Sequence, residues 1–162
     1  MIKKYNSVLI IGMGLIGSSI SRALIENQVA HNVYGLDSDD KVIKKCQDLN
    51  LLIQGETSLV NFNTQFDLII ICTPLSMYEK LFLELDSYIS QPTLVTDVGS
   101  TKMSTITDYN KIKKNTNISF IPSHPIAGLE KSGPEFGFSK LFENRYCILT
   151  PFQKDDKAIE SV

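Results

Sequence analysis

The sequence SVLIIGMGLIGSSI at residues 7–20 decides the fold. Its first five residues form a short apolar run that stops at a glycine, which is typical of a strand buried on both faces of a parallel sheet. From Gly14 onward, apolar residues recur at the spacing of one helical face, which predicts a helix over 14–28. The stretch therefore predicts a strand, a tight turn and a helix in succession.

The rest of the chain repeats this alternation of strands and helices. Apolar runs predict further strands at 32–36, 66–72, 93–98, 118–122 and 146–150, with a short strand as an option within 51–61. Helical spacing predicts helices from Ser38, as N-cap, to about Leu49, over 76–89 and, more weakly, over 102–114. Helices between successive strands require crossover connections, so the sheet is expected to be parallel. We therefore predict one domain over 1–162, an α/β fold with a doubly wound, mostly parallel sheet and helices on both faces.

The turn after the first strand carries the pattern G-x-G-x-x-G, formed by Gly12, Met13, Gly14, Leu15, Ile16 and Gly17. In such a loop the first glycine allows the tight turn, the second lets the backbone approach a pyrophosphate, and the third lets the helix pack close to the strand. The N-terminus of the helix then offers free N–H groups and a partial positive charge to the phosphates. Between a strand and a helix, the pattern predicts a Rossmann-type dinucleotide site. The alternative is a glycine-rich turn that serves packing alone.

Asp37 lies 20 residues after Gly17, at the end of the second predicted strand. A carboxylate at this position can accept hydrogen bonds from the adenosine ribose diol, and it repels the 2′-phosphate of NADP. Because no Arg or Lys stands within three residues of Asp37, the sequence predicts NAD as the cofactor. The alternative is that Asp37 helps to cap the following helix.

Ligands of doubly wound sheets bind beyond the carboxyl ends of the strands, where three further segments fall, the third being the one that carries His124. In the first, we expect Cys72, Thr73, Pro74 and Ser76 to line the cofactor site, although Ser76 is equally well explained as a helix N-cap.

The second polar segment begins at Asp97, which we also expect at the cofactor. Ser100 is either a helix N-cap, a contact to the substrate hydroxyl, or both. Lys102 is interpreted as a solvated helix residue.

His124 is one of two histidines in the chain and follows the strand predicted at 118–122. An imidazole titrates near neutral pH, so it can take the proton of an alcohol whose carbon loses a hydride. From position and chemistry alone, this catalytic interpretation and a structural one are equally supported, since many loop histidines only satisfy backbone groups.

The bulk properties exclude several classes of protein. The 162 residues carry a net charge of −2, which gives no electrostatic reason to expect a nucleic acid as partner. No apolar run reaches the roughly 18 residues of a membrane span. The three cysteines are far apart and lack metal spacing, so we expect reduced thiols, a cytoplasmic location and no metal.

Three segments together resemble the prephenate and arogenate dehydrogenases of tyrosine biosynthesis. They are GMGLIGSS at 12–19, TDVGSTK at 96–102 and HPIAGLEKSG at 124–133, of which the last is highly specific. The resemblance extends over essentially the whole chain but only over the N-terminal half of such an enzyme.

This resemblance implies an NAD-dependent oxidative decarboxylation of prephenate to 4-hydroxyphenylpyruvate. It implies that His124 takes the proton of the ring hydroxyl, that Ser100 lies near His124 and the substrate, and that Glu130 joins an ionic network around the substrate. It also implies that the family's substrate arginine belongs to a helical C-terminal domain, which forms the dimer and is absent from these residues.

Only two arginines are present, Arg22 and Arg145, and neither is an evident clamp for the two carboxylates of prephenate. Three alternatives stay open on the sequence: an arogenate dehydrogenase, another Rossmann dehydrogenase, and a non-catalytic dinucleotide-binding module.

Overall fold

The computed structural model describes residues 5–112 and 117–152. Its strands are β1 (Tyr5–Ile11), β2 (Ala30–Leu36), β3 (Gln54–Glu56), β4 (Leu68–Ile71), β5 (Thr93–Asp97), β6 (Ile118–Ile121), β7 (Ser123–Pro125) and β8 (Cys147–Leu149). Its α-helices are α1 (Leu15–Glu26), α2 (Asp40–Asp48), α3 (Tyr78–Tyr88) and α4 (Lys102–Lys111). Residues 113 and 114 of the fourth predicted helix, and the part of the predicted domain beyond 152, lie outside the described residues.

The first six strands form one parallel sheet in the order β3-β2-β1-β4-β5-β6. The chain builds outward from β1 through β2 to β3, and then returns to the other side of β1 through β4, β5 and β6. The order of the strands therefore reverses between β1 and β4, the position at which doubly wound sheets bind ligands. The predicted Rossmann-type α/β fold is confirmed.

Helices cover both faces of this sheet because the side chains of each strand alternate between two cores. In β1, Leu9 and Ile11 belong to the core under α3 and α4, whereas Val8 and Ile10 belong to the core under α1 and α2. All four side chains are essentially inaccessible to solvent. Burial on both faces explains why β1 reads as a continuous apolar run rather than as an alternating pattern.

The last predicted strand does not join the main sheet. β8 pairs antiparallel with β7 in a separate two-stranded sheet, in which His124 lies opposite Ile148. The separation follows from Pro122, which ends β6 because it has no N–H to donate to a ladder. This hairpin is absent from the sequence prediction, and it carries the histidine of interest.

The N-cap of α2 is also one residue later than predicted. Asp39, and not Ser38, caps the helix by accepting a hydrogen bond from the N–H of Lys41 at 2.9 Å. Asp37 Oδ1 accepts the N–H of Asp39 at 3.0 Å, and this hydrogen bond fixes the backbone just before the first residue of the helix, Asp40.

No helix in the described part of the chain has the length and apolar character needed to cross a bilayer. Within residues 5–112 and 117–152, no group of three or more His, Cys, Asp or Glu side chains is arranged to hold a metal ion.

Candidate functional site

The glycine loop joins β1 to α1 with close backbone contacts. Gly12 has a φ of +93°, a conformation that favours glycine. A Cβ at Gly17 would stand 2.1 Å from the carbonyl oxygen of Gly12, so any side chain there forces the turn and the helix apart. A Cβ at Gly14 would meet nothing within 4 Å. Gly14 therefore borders open space at the N-terminus of α1, where a phosphate can approach the backbone.

Asp37 links this loop to the end of β2. Its Oδ2 accepts the N–H of Met13 at 2.8 Å, and its Oδ1 binds the N–H of Asp39. The carboxylate is half-buried. Asp37 therefore helps to fix the backbone at the start of α2, as the alternative interpretation expected. It also lies at the carboxyl edge of the sheet, where the cofactor interpretation places it.

A cleft of about 540 Å³ opens at the carboxyl ends of β1, β2 and β4. Half of the predicted cofactor residues line it, namely Gly12, Gly14, Asp37, Cys72, Thr73 and Pro74. Ten further polar and apolar lining residues were not predicted as cofactor residues: Ile11, Leu36, Ser38, Thr57, Ser58, Leu59, Met77, Lys80, Leu81 and Glu84. They come from the ends of β1 and β2, from loops and from α3, and no motif signals them.

One polar group in this cleft is free to form a hydrogen bond with a ligand. The hydroxyl of Thr73 is buried and has no hydrogen-bond partner among the described residues. Buried hydroxyls are normally paired, so an unpaired one at the end of β4 fits a site that takes a polar ligand.

The other predicted cofactor residues do not line this cleft. Met13, Leu15 and Gly17 are buried, whereas Ile16 is only partly covered. Ser76 is exposed in a 3₁₀ turn, Leu75–Met77, and the N-cap of α3 is Met77, so the alternative in which Ser76 caps the helix is wrong.

Asp97 lies at the end of β5 and is fully buried. Its carboxylate accepts hydrogen bonds from the hydroxyl of Tyr78 at 3.1 Å, the N–H of Gly99 at 3.0 Å and the N–H of Ser123 at 3.0 Å. Burial, and then the charge of Asp97, raise the pKa of the Tyr78 phenol, so that this group stays a neutral donor. This geometry favours a positioning role for Asp97 over direct contact with a cofactor.

Lys102 completes the set of groups around Asp97, and its interpretation as a solvated residue is wrong. Its ammonium lies 2.8 Å and 2.7 Å from the two carboxylate oxygens and donates to the carbonyl of Ser123 at 2.5 Å. Only 13% of the side chain is exposed. A sequence signal did exist, because a carboxylate that ends a buried strand needs a partner, and Lys102 is the first cation after it.

His124 lies in β7, next to the end of β5. Its Nδ1 is 3.2 Å from the carbonyl oxygen of Val98. Since a carbonyl only accepts, Nδ1 carries the proton in this hydrogen bond, and the lone pair of the neutral ring is on Nε2. Nε2 has no partner in the described part of the chain. The ring is therefore oriented by the protein and keeps one nitrogen available as a proton acceptor.

The remaining predicted site residues are exposed or tied elsewhere. Ser100 is exposed, and the N-cap of α4 is Thr101, so the N-cap interpretation of Ser100 is wrong. Glu130 is exposed in the loop after β7 and forms no ion pair with another described residue. Arg22 donates to the carbonyl of Pro134 at 3.3 Å, whereas Arg145 is exposed beside the β7–β8 hairpin.

Comparisons with known proteins identify the family to which the chain belongs. Residues 20–162 match the family model described as prephenate dehydrogenase, nucleotide-binding domain. The prephenate dehydrogenase of Bacillus subtilis (strain 168) is 35% identical over 159 residues, which are 97% of this chain and 43% of the relative. The cyclohexadienyl dehydrogenase of Zymomonas mobilis is 31% identical over 147 residues, which are 91% of this chain and 50% of the relative.

Solved structures give the same result. The prephenate dehydrogenase from A. aeolicus, solved with hydroxyphenyl propionate and NAD+, has a TM-score of 0.87 and 32% identity, over 96% of this chain and 54% of that one. The arogenate dehydrogenase of Synechocystis, at 24% identity and a TM-score of 0.83, shares the fold. The chain therefore spans about half the length of the relatives it matches.

The nucleotide-binding family model and the NAD+ complex of the A. aeolicus enzyme support the prediction that the cofactor is NAD. The fold, the glycine loop and these matches lead to one conclusion: the chain belongs to the prephenate dehydrogenase family, within its N-terminal nucleotide-binding domain.

Proposed function

We propose that this chain is the NAD-binding catalytic half of a prephenate dehydrogenase. The observation that carries the proposal is the hydrogen bond between His124 Nδ1 and the carbonyl of Val98. It leaves Nε2 as a base at the carboxyl edge of the sheet, the edge at which a doubly wound domain holds its dinucleotide.

The residues of the cleft fit NAD. The open space at Gly14 and the N-terminus of α1 suit the pyrophosphate. Asp37 stands at the end of β2, where its carboxylate can accept hydrogen bonds from the ribose diol. Bound NAD would supply the hydride acceptor.

In the proposed reaction, His124 Nε2 takes the proton of the prephenate ring hydroxyl as the carbon that bears it loses a hydride. The ring carboxylate then leaves as CO2, and the ring becomes aromatic. His124 returns its proton to the phenolate oxygen, so the overall reaction consumes no proton. Ser100, two residues beyond Val98, is proposed to contact the same hydroxyl, and Glu130 is proposed to act at the substrate from the loop after β7.

Substrate selection and assembly belong to the proposal as well. The two carboxylates of prephenate call for arginine, and Arg22 is already bound to a backbone carbonyl. We propose that a helical C-terminal domain, as the family resemblance implies, supplies the substrate arginine and the dimer contact. The relatives include a cyclohexadienyl dehydrogenase and a fold relative that acts on arogenate, so arogenate is the second candidate substrate. A cytoplasmic location is proposed from the free thiols.

Calorimetry with NAD and NADP tests the cofactor part of the proposal. The wild type is expected to bind NAD more tightly than NADP. Asp37→Ala should weaken NAD binding at least about tenfold, which corresponds to about 1.4 kcal/mol. Asp40→Ala removes an exposed carboxylate from the first turn of α2 and is the matched control. Tighter binding of NADP, or unchanged binding of NAD to Asp37→Ala, would contradict this assignment.

NADH absorbance with prephenate, and separately with arogenate, tests the catalytic part when the chain is joined to a C-terminal domain of the family. His124→Asn should lower the rate by about 10²- to 10⁴-fold, the range for loss of a general base. A variant with the wild-type rate would exclude His124 as the base. Tight NAD binding without turnover of either substrate, even when a C-terminal domain is restored, would instead favour the non-catalytic module.

A further inference from the structure

One peptide group connects the buried carboxylate of Asp97 to the ring of His124. The N–H of this peptide belongs to Gly99 and donates to Asp97 Oδ2 at 3.0 Å. Its carbonyl belongs to Val98 and accepts from His124 Nδ1 at 3.2 Å. A carboxylate bound to one end of an amide polarises it, which makes the carbonyl at the other end a stronger acceptor.

The same carboxylate also holds the backbone that precedes His124. Asp97 Oδ1 accepts the N–H of Ser123 at 3.0 Å, and the hydroxyl of Ser123 donates to the carbonyl of Asp97 at 2.5 Å. Lys102 donates to the carbonyl of Ser123, which is part of the peptide that joins Ser123 to His124. Both the ring and the backbone of His124 are therefore tied to the Asp97–Lys102 ion pair.

Helix stability does not account for the position of Lys102. It is the first residue of α4, where the positive end of the helix macrodipole disfavours a cation. What it contributes there is a charge that neutralises a fully buried carboxylate, and a third hydrogen bond, to Ser123.

We propose that Asp97 and Lys102 are positioning residues for His124. Through the Val98–Gly99 peptide and through Ser123, they hold the ring in the tautomer protonated on Nδ1, with the lone pair of Nε2 directed to the substrate side. The inference rests on the proposed role of His124 as proton acceptor. It gives the reaction a carboxylate that acts on the catalytic imidazole through a peptide group rather than by direct contact.

Nitrogen-15 NMR of the histidine rings tests this proposal without substrate or cofactor. The chain has two histidines, and His31 is exposed at β2, so it serves as an internal reference. In the wild-type chain with neutral rings, Nδ1 of His124 should give the shift of a protonated nitrogen and Nε2 that of a bare one.

Three variants separate positioning from general stability. The double variant Asp97→Asn/Lys102→Met removes both charges without leaving one buried alone, and His124 should move toward the Nε2-protonated form that free histidine prefers. Lys102→Arg keeps the charge and should keep the wild-type tautomer. Lys111→Met removes another lysine of α4, one with exposed ion pairs to Glu79 and Asp108, and should change neither ring.

Either of two results would overturn the proposal: an Nε2-protonated His124 in the wild type, or an unchanged tautomer in the folded double variant. Should the double variant not fold, the amide of Gly99 in the wild type decides. That amide should shift when His124 gains its second proton, whereas the amide of Gly55 on β3 should not, and a Gly99 amide that fails to respond also overturns the proposal. Because tautomers are measured without turnover, failure here is distinct from failure of the proposed reaction.

Discussion

Two glycines of the phosphate loop, Gly14 and Gly17, separate binding from stability in one experiment. They are three residues apart, yet a Cβ at Gly17 would stand 2.1 Å from a backbone oxygen, whereas a Cβ at Gly14 would meet nothing within 4 Å. Gly14 has a φ of −71°, which alanine also adopts. We therefore expect Gly17→Ala to destabilise the fold and Gly14→Ala to affect the ligand alone.

The magnitudes follow from these contacts. Adding a methyl group to a packed position costs about 1–3 kcal/mol, and a clash with backbone places Gly17→Ala near about 3 kcal/mol. For a domain of this size about 1 kcal/mol lowers Tm by about 2–4 °C, so Tm should fall by about 6–12 °C. Gly14→Ala should leave Tm within about 2 °C, but it should displace the pyrophosphate. Loss of one charge-assisted hydrogen bond, about 1.5–3 kcal/mol, weakens NAD binding by about 10- to 150-fold.

Thermal unfolding and calorimetry with NAD measure the two effects on the same samples. A Gly17→Ala protein with the wild-type Tm would refute the close packing of the turn against α1. Wild-type NAD affinity in Gly14→Ala would refute the placement of the pyrophosphate at this helix terminus.

Three further predictions concern packing, the buried carboxylate and the thiols. Gly137→Ala should lower the free energy of unfolding in urea by about 1–3 kcal/mol, because its Cβ would lie 2.2 Å from a serine hydroxyl of α1. The control Gly128→Ala, whose Cβ would meet nothing within 4 Å, should match the wild type. Equal losses of stability in the two variants would contradict the packing of Gly137 against α1. Tyr78→Phe removes a hydrogen bond to the buried carboxylate at the end of β5 and should cost about 1.5–3 kcal/mol in the same assay, so a change of a few tenths would show that this bond adds little. A thiol reagent at pH 8 should modify the exposed Cys147 quickly and Cys46 slowly, because burial raises the pKa of Cys46 to about 11. The raised pKa also means that the contribution of the Cys46 thiol to stability is complete below pH 9.0 and declines as pH rises toward about 11. Urea denaturation measured across that pH range would detect the decline. Rapid labelling of Cys46 in the folded protein would contradict both statements.

The sequence by itself determined the architecture of this protein. The apolar run before Gly12 predicts a strand buried on both faces, and its alternation with helical segments along the chain indicates a parallel sheet with helices on each side. The spacing of Gly12, Gly14 and Gly17 specified the loop, because each position meets a local requirement for a positive φ, open space or close packing. Requirements of this kind involve residues that are close together in the chain, so they can be predicted from the sequence alone.

The tertiary structure decided which side chains face a ligand and which face one another. Asp97 and Lys102 are five residues apart, but Ser123 is 26 residues beyond Asp97, and only the pairing of β5 with β6 brings it into contact. The interpretation of Lys102 as solvated failed for the same reason, since its burial comes from contacts with Asp97 and with the distant Ser123. The ring of His124 is likewise oriented by a hydrogen bond to a distant residue, Val98, which directly follows β5. Contacts between distant segments follow from sheet order, and a pattern along the chain does not contain that order.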